Sequence, residues 1–454
     1  MMSNRIRIYE GNVADYNEFP VFSTTREKHY ILPGKYRNTT QSILLNDEIL
    51  TKGLLFLGKA GQGKTNTFLS LAGQILEQLQ ENDLAIFFDL KGDYQEAFFE
   101  TGDLVLDALK DDYVWNIFDE LLPFLGNEFL LDMRLKELCA YLYKGRESQE
   151  PYFTNAAREI TEYIIRYFLF EYEETGNDSK LNNEALKSFI KGFECEEEDS
   201  YESFRNILLL YERFRGALTY LPPREFNDKS AYGVISEISS MANDVFAAAY
   251  GTSAHRRGRY ISAAKVARDE DTNVVFLSYN PSLPQSQSYV FRFFTDNVIA
   301  NRCSYYKEKS GNIGKTYIFL DEFSKLPKLE YLSLALSQLR SMGVCVIAGL
   351  QDAEQIYNNY ENSEANVILN AFQSVIAFNC TDKSVKLFQS LTGTARVADR
   401  YTVAGGNIGY TNPYDRKCVE ERDFISLAVG EAYVKLSNYQ PFRFKFVQNK
   451  IVKG

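Results

Sequence analysis

The chain has 454 residues, 45% of them hydrophobic and 24% charged, which describes a soluble globular protein of two or three domains with a large core. A net charge of −11 argues against a protein coated in nucleic acid but leaves room for a ring with a locally basic channel. Two histidines and six scattered cysteines without a CxxC pair argue against a His-based metal or triad site and against zinc, and suit a reducing cytosol.

No apolar run reaches the roughly 18–20 residues of a membrane span, and the opening MMSNRIRIYEGN lacks the apolar stretch of a signal peptide. Residues 1–50 carry short alternating segments, RIRIY at 5–9 and HYIL at 29–32, broken by Pro20, Pro33 and Gly34. They predict a small β-rich part that packs beside the main domain.

Residues 53–71 read GLLFLGKAGQGKTNTFLSL. An apolar strand at 54–57 runs into GKAGQGKT, and a helical period comes after it. Gly58, Lys59, Ala60, Gly61, Gln62, Gly63, Lys64 and Thr65 fit the G-x-x-x-x-G-K-[ST] pattern of a phosphate-binding P-loop, with Asn66 beside it. The glycines let backbone N–H groups close around phosphates, and the helix N-terminus adds partial positive charge. In that role Lys64 sits on the β- and γ-phosphates of ATP, and the Thr65 hydroxyl holds Mg²⁺.

A second apolar strand at 85–89 ends in DLKGD at 89–93. Ligands of open α/β sheets sit at the carboxyl ends of strands, so Asp89 and Lys91 mark either the edge of the site or an ordinary polar turn. A further strand is expected at 104–106.

From 119 to 241 helical periods dominate, over 131–142, 156–170, 186–193 and 204–218. They predict an all-helical insertion at 160–250. The acidic run at 194–202 reads as a solvated face or as a docking surface for a basic partner. The basic cluster AHRRGR at 254–259, continued by Lys265 and Arg268, reads as a solvated helix end or as a loop contacting DNA phosphates through Arg256, Arg257 and Arg259.

Strand and helix signals then alternate again. A strand at 315–320 ends in Asp321 and Glu322, the form of a Walker B element. Asp321 would enter the Mg²⁺ shell through water, and Glu322 would polarise the attacking water as general base. A helix is expected at 329–341 and a strand at 344–349. Gln351 stands at that strand's end, where a polar side chain can sense the γ-phosphate. Further strands are expected at 374–378, 432–436 and 442–446.

The alternation predicts an α/β fold with a mostly parallel sheet. The wide gap between the P-loop and the Asp-Glu pair suits a RecA-like P-loop NTPase better than a small GTPase. The expected division is 1–50 β-rich, 51–159 the first part of the nucleotide-binding domain, 160–250 all-α, and 251–454 its second part.

At LDEFSKLP, 320–327, a family resemblance becomes specific. The chain resembles the type IV secretion coupling proteins, the TraD/TraG-type hexameric ATPases of conjugation, from the P-loop to at least Arg400. The likeness rests on GKAGQGKT, FDLKGD at 88–93, Trp115 with Asn116, YFTNAAR at 152–158, LRSMG at 339–343 and GLQ at 349–351.

The resemblance implies that ATP and Mg²⁺ bind at Lys64, Thr65, Asp321 and Glu322. Arg340 would complete a neighbouring subunit's site or act as a sensor near it, and Gln351 would couple the γ-phosphate to moving elements. It implies a homo-hexamer, or a monomer in isolation, that moves single-stranded DNA with its bound relaxase toward type IV secretion channel proteins. The all-α domain would meet DNA or relaxase. Many members carry N-terminal transmembrane helices and this sequence has none. That implies a separate membrane anchor or a removed one, and a place in the cytoplasm or at the inner face of the cell membrane. Two rival readings are an FtsK/HerA-like DNA translocase of repair or defence and an ATP-controlled adaptor for protein substrates.

Overall fold

The computed structural model describes residues 5–9, 12–13, 19–22, 29–110, 112–144, 146, 151–194, 200–223, 229–252, 259–268, 274–280, 282, 284–402 and 408–447. The chain divides into two compact units, Met1–Thr101 with Tyr306–Gly454, and Gly102–Tyr305. Among the described residues no helix is long and apolar enough to cross a membrane.

The first unit opens with β1 (Arg5–Tyr9), β2 (Asn12–Val13) and the hairpin β3 (His29–Tyr36) and β4 (Thr39–Asn46). The Asn46 side chain caps α1 (Asp47–Thr51) by accepting from the Ile49 N–H at 3.0 Å. Next come β5 (Leu54–Leu57), α2 (Lys64–Leu76), β6 (Leu84–Asp89) and α3 (Asp93–Phe98). Every residue of β5 and β6 is buried, as unbroken apolar runs require when a strand is covered on both faces.

The second unit holds β7 (Leu104–Asp107), β8 (Tyr113–Trp115), α4 (Glu128–Leu142), α5 (Pro151–Thr175), α6 (Asn183–Lys191), α7 (Ser200–Leu210) and α8 (Lys229–Val245). It continues with β9 (Arg259–Ile261), α9 (Ala263–Arg268), β10 (Val274–Ser278) and the long α10 (Pro284–Glu308). β7 pairs in parallel with β10, and β8 with β9. Its core gathers around the chain's single tryptophan. Trp115 donates from Nε1 to Glu120 at 3.0 Å, and the Asn183 amide donates to the carbonyls of Trp115 and Tyr250 at 2.6 and 2.9 Å. The helix expected over 204–218 is divided: α7 ends at Leu210, Tyr211 turns extended, and a 3-10 segment runs Glu212–Thr219.

The first unit resumes with β11 (Thr316–Leu320), α11 (Leu332–Ser337), β12 (Val344–Leu350), α12 (Asn362–Ala371), β13 (Ser374–Ala377) and α13 (Asp382–Thr392). It ends with β14 (Thr394–Thr402), β15 (Ile408–Tyr410), β16 (Tyr414–Lys417), α14 (Glu421–Ile425), β17 (Glu431–Lys435) and β18 (Phe442–Phe446).

Its main sheet runs β4-β3-β18-β17-β13-β5-β12-β11-β6. From β13 to β6 neighbours are parallel, and from β4 to β13 they are antiparallel. The sheet is α/β with a mostly parallel centre. Phe87 and Phe319, directly opposite on β6 and β11, stack with ring centroids 4.3 Å apart. Phe68 of α2 packs edge-on against Phe319 and Tyr94. This aromatic layer fixes α2 over the strands whose ends carry the charged residues.

Candidate functional site

Loops leaving β5, β11, β12 and β13 converge at the carboxyl edge of the parallel strands, where open α/β sheets bind ligands. The Gly58 N–H donates to the Leu350 carbonyl at 3.1 Å and the Lys59 N–H to the Asn379 carbonyl at 2.9 Å. These bonds tie the loop to the ends of its two neighbouring strands. Gly63 has φ of 97°, which glycine adopts without strain, and it stands immediately before α2. On the far side, the Gly430 N–H donates to the Gln62 carbonyl at 3.0 Å.

A cavity of about 470 Å³ opens here, lined by Lys59, Ala60, Gly61, Gly63, Lys64, Thr65 and Asn66. Lys91, Glu322, Gln351 and Val429 complete its wall. Gly58 and Gln62 are not among the lining residues: Gly58 packs against Phe378, and the Gln62 carbonyl holds the 430 turn. Asp321 is 8% exposed and sits below, its Oδ1 3.8 Å from the Lys64 ammonium. Burial pulls the Lys64 ammonium below its ordinary value, and the nearby Asp321 and Glu322 carboxylates oppose that shift.

Asp321 is held on both oxygens. The buried Tyr94 hydroxyl donates to Oδ2 at 2.9 Å, and the Glu322 N–H donates to Oδ1 at 3.0 Å. Burial first, then the Asp321 charge, pushes the Tyr94 phenol well above its usual range, so it remains a donor. Gly349 packs so closely that a Cβ there would lie 2.6 Å from Asp321 Oδ1.

Glu322 adopts φ 55°, ψ 43°, a left-handed backbone that a non-glycine residue enters at a cost of about 1 kcal/mol or more. Its carboxylate is ion-paired with Lys91, and that bond raises the Lys91 pKa. Asp89 turns the other way, into its own loop. Its Oδ2 accepts from the Gln95 N–H at 2.7 Å, fixing the turn that carries Lys91 and Tyr94. Burial pushes the Asp89 carboxyl up, opposed by backbone donors at Gln95, Tyr94 and Gly92.

Arg340 stands apart from this cavity. It lies in the 3-10 turn Leu339–Met342 ahead of β12, partly exposed, with Nε donating to the Ser337 carbonyl at 3.3 Å. The helix expected over 329–341 is shorter, α11 giving way to this turn. Arg256 and Arg257 lie outside the described residues. Arg259 begins β9 in the second unit, exposed, with its N–H donating to the Asp112 carbonyl.

Among the described residues no group of three or more His, Cys, Asp or Glu side chains could hold a metal ion alone. Thr65 on the cavity wall and Asp321 beside Lys64 are the oxygen-bearing side chains that could take part in holding a Mg²⁺ ion, which commonly keeps several waters and takes one or two protein groups. Two residues of the site carry no strong sequence signal. Tyr94 could be suspected from its place just past the DLKGD turn. Val429 is distant in sequence and has no motif.

The family model for the type IV secretion-system coupling protein DNA-binding domain matches residues 38–203 and 259–429. Among solved structures, the chain is similar to the bacterial conjugative coupling protein TrwBΔN70 in an unbound form. The identity is 17% over 94% of this chain and 91% of that one, with a TM-score of 0.68. The plasmid coupling protein TrwB in complex with ADP and Mg²⁺ matches at 15% identity over 95% and 97% of the two chains, TM-score 0.63. VirB4 of Thermoanaerobacter pseudethanolicus matches at 14% identity over 95% and 99%, TM-score 0.54. At these identities the structures establish a shared fold. Comparison with curated proteins finds no match.

Proposed function

The chain belongs to the type IV secretion-system coupling proteins, and from that premise we propose that it is a Mg²⁺-ATP-dependent motor that recruits single-stranded DNA and its bound relaxase to a type IV secretion channel. The observation that carries the reading is one cavity in which P-loop residues Lys64 and Thr65 meet Glu322 and Gln351 above the buried Asp321. The solved TrwB complex with ADP and Mg²⁺ supports a nucleotide and Mg²⁺ in this fold.

In the proposed roles, Lys64 and the P-loop amides bind the phosphates, and Thr65 with Asp321 accommodates Mg²⁺, which supplies charge neutralisation there. Glu322 is the general base that orients and deprotonates water. Gln351, at the end of β12, reads the γ-phosphate and passes its loss to that strand. Lys91 occupies the Glu322 carboxylate until phosphate anions in the same cavity compete for its ammonium. Arg340 lies off its own chain's cavity, which supports service to a neighbouring subunit's site in a homo-hexamer. The helices within 160–250 are assigned to contact with DNA or relaxase, the channel proteins and a separate membrane anchor being the remaining partners.

The test is ATP turnover with and without single-stranded DNA, at low and moderate salt, with Glu322→Gln as the blank. Salt-sensitive stimulation is expected. Turnover indifferent to DNA, with ATP binding intact, would overturn the motor reading in favour of an adaptor for protein cargo. Lys64→Ala should weaken nucleotide binding itself.

A further inference from the structure

We infer that the exposed sheet face formed by β3, β17 and β18 is a contact site for the phosphate backbone of single-stranded nucleic acid, a proposal that rests on the DNA-handling reading above. β18 alternates strictly. Phe442, Phe444 and Phe446 point into the core, while Arg443 and Lys445 point out. On β3 the outward positions include Lys35, and the turn beyond carries Arg37. The antiparallel register sets Lys445 directly opposite Lys35. Like charges at directly opposed positions repel and destabilise a strand pair.

Among the described residues lining this face there is one carboxylate, and it is already engaged. Glu431 stands opposite Lys445 on β17 but accepts from Arg443 Nη2 at 2.5 Å and from the Ala428 N–H at 3.0 Å. The desolvation of its carboxyl is outweighed by Arg443, Ala428 and Lys445, so its pKa falls below the usual value. Among the described residues neither Lys35 nor Lys445 has a salt bridge. The result is four cationic side chains and one acid around a groove of about 290 Å³, on a chain whose net charge is −11.

The ligand class comes from the layout. The cations are spread along two strands, with Arg443 and Lys445 one i,i+2 step apart, about 6.7 Å. A row of that kind suits a repeating polyanion better than a single ion. At one end of the groove the Arg37 guanidinium lies 5.3 Å from the Tyr36 ring centroid, the ring itself turning to the core side of β3 against Phe19, so recognition on this face is by charge. None of these residues lines the nucleotide cavity, so the site is separate from the ATP chemistry.

The experiment uses the full chain and the double variant Lys35→Ser/Lys445→Ser, both positions being solvent-exposed. Binding of a labelled oligodeoxythymidine is followed by fluorescence anisotropy across a KCl series. The variant should bind more weakly, and its slope of log K against log salt should flatten by about 1.4, at about 0.7 for each phosphate of a single strand that is no longer neutralised. Basal ATP turnover without DNA should be unchanged. If the wild type binds and the variant matches it in affinity and slope, this site is wrong and the motor reading stands. If the wild type binds no oligonucleotide at any salt, both fall. If the variant keeps its oligonucleotide affinity but loses binding to phosphatidylserine vesicles, the face belongs to a lipid surface and the inference is overturned.

Discussion

Lys91 and Glu322, 231 positions apart in the chain, are joined by an ion pair on the wall of the nucleotide cavity. Lys91 arrives on the turn after β6, and Glu322 on the residue pair after β11, the strand hydrogen-bonded to β6. A carboxylate engaged by an ammonium is less free to orient the attacking water. The Lys91→Met variant should therefore raise ATP turnover in the absence of DNA and lower the ratio by which DNA stimulates it. A fall in basal turnover toward the Glu322→Gln level would show instead that Lys91 serves the phosphates directly.

Asp321 depends on its neighbours for its pose. In Tyr94→Phe the buried Oδ2 loses its donor, a loss worth about 1.5–3 kcal/mol for a charged acceptor. Melting temperature should drop, and half-maximal turnover should need more Mg²⁺. Gly349→Ala reaches the same carboxylate from the other side, because the new Cβ would lie 2.6 Å from Oδ1 and Asp321 must move. It should cut turnover while leaving the fold intact by circular dichroism. Variants with wild-type Mg²⁺ dependence would remove both neighbours from the account of the site.

Arg340 is absent from its own cavity wall, which makes its role testable by mixing. Arg340→Ala alone should bind ATP and not hydrolyse it. Combined with a Lys64→Ala variant, whose arginine is intact but whose P-loop is not, it should recover part of the activity, since a mixed ring brings one good arginine to one good P-loop. Absence of recovery at concentrations that support assembly would confine Arg340 to its own subunit.

Glu120 gives the second unit a pH signature. It is buried, with its carboxylate accepting from Trp115 Nε1 and from the N–H groups of Ala263 and Ala264 at 3.0, 2.7 and 2.9 Å. Burial nevertheless pushes its pKa from 4.5 up to about 7. The folded state thus holds a proton that the unfolded chain releases at lower pH. Stability from this group is present below about pH 4.5 and is lost as pH rises to about 7, by about 3 kcal/mol in all. Glu120→Gln does not titrate. Across pH 5 to 8 the stability of the wild type relative to the variant should decline as pH rises. A constant difference would contradict the shift.

Much of the nucleotide site is legible in the sequence because its chemistry is written in contiguous stretches. GKAGQGKT comes after β5, DLKGD closes β6, and Asp321 with Glu322 closes β11, so each motif sits at the end of an apolar run that can only be a buried strand. The antiparallel half of the main sheet is harder to foresee. β3 and β18 lie at opposite ends of the sequence, and no local pattern announces that Lys35 will face Lys445. Tyr94 reads as an ordinary aromatic near a helix start, and only the pairing of β6 with β11 puts its hydroxyl on Asp321.

By itself the sequence determined the class of fold, the P-loop and the Asp-Glu pair, because local period and short-range turn chemistry dictate strands, helices and the loops between them. Tertiary structure alone decided which of these ends meet. The order of strands in the sheet brought Lys91 to Glu322, Gly349 to Asp321 and the 430 turn to the P-loop, and it left Arg340 outside. Those contacts arise from register and packing between segments far apart in the chain, where no single stretch of residues holds the information.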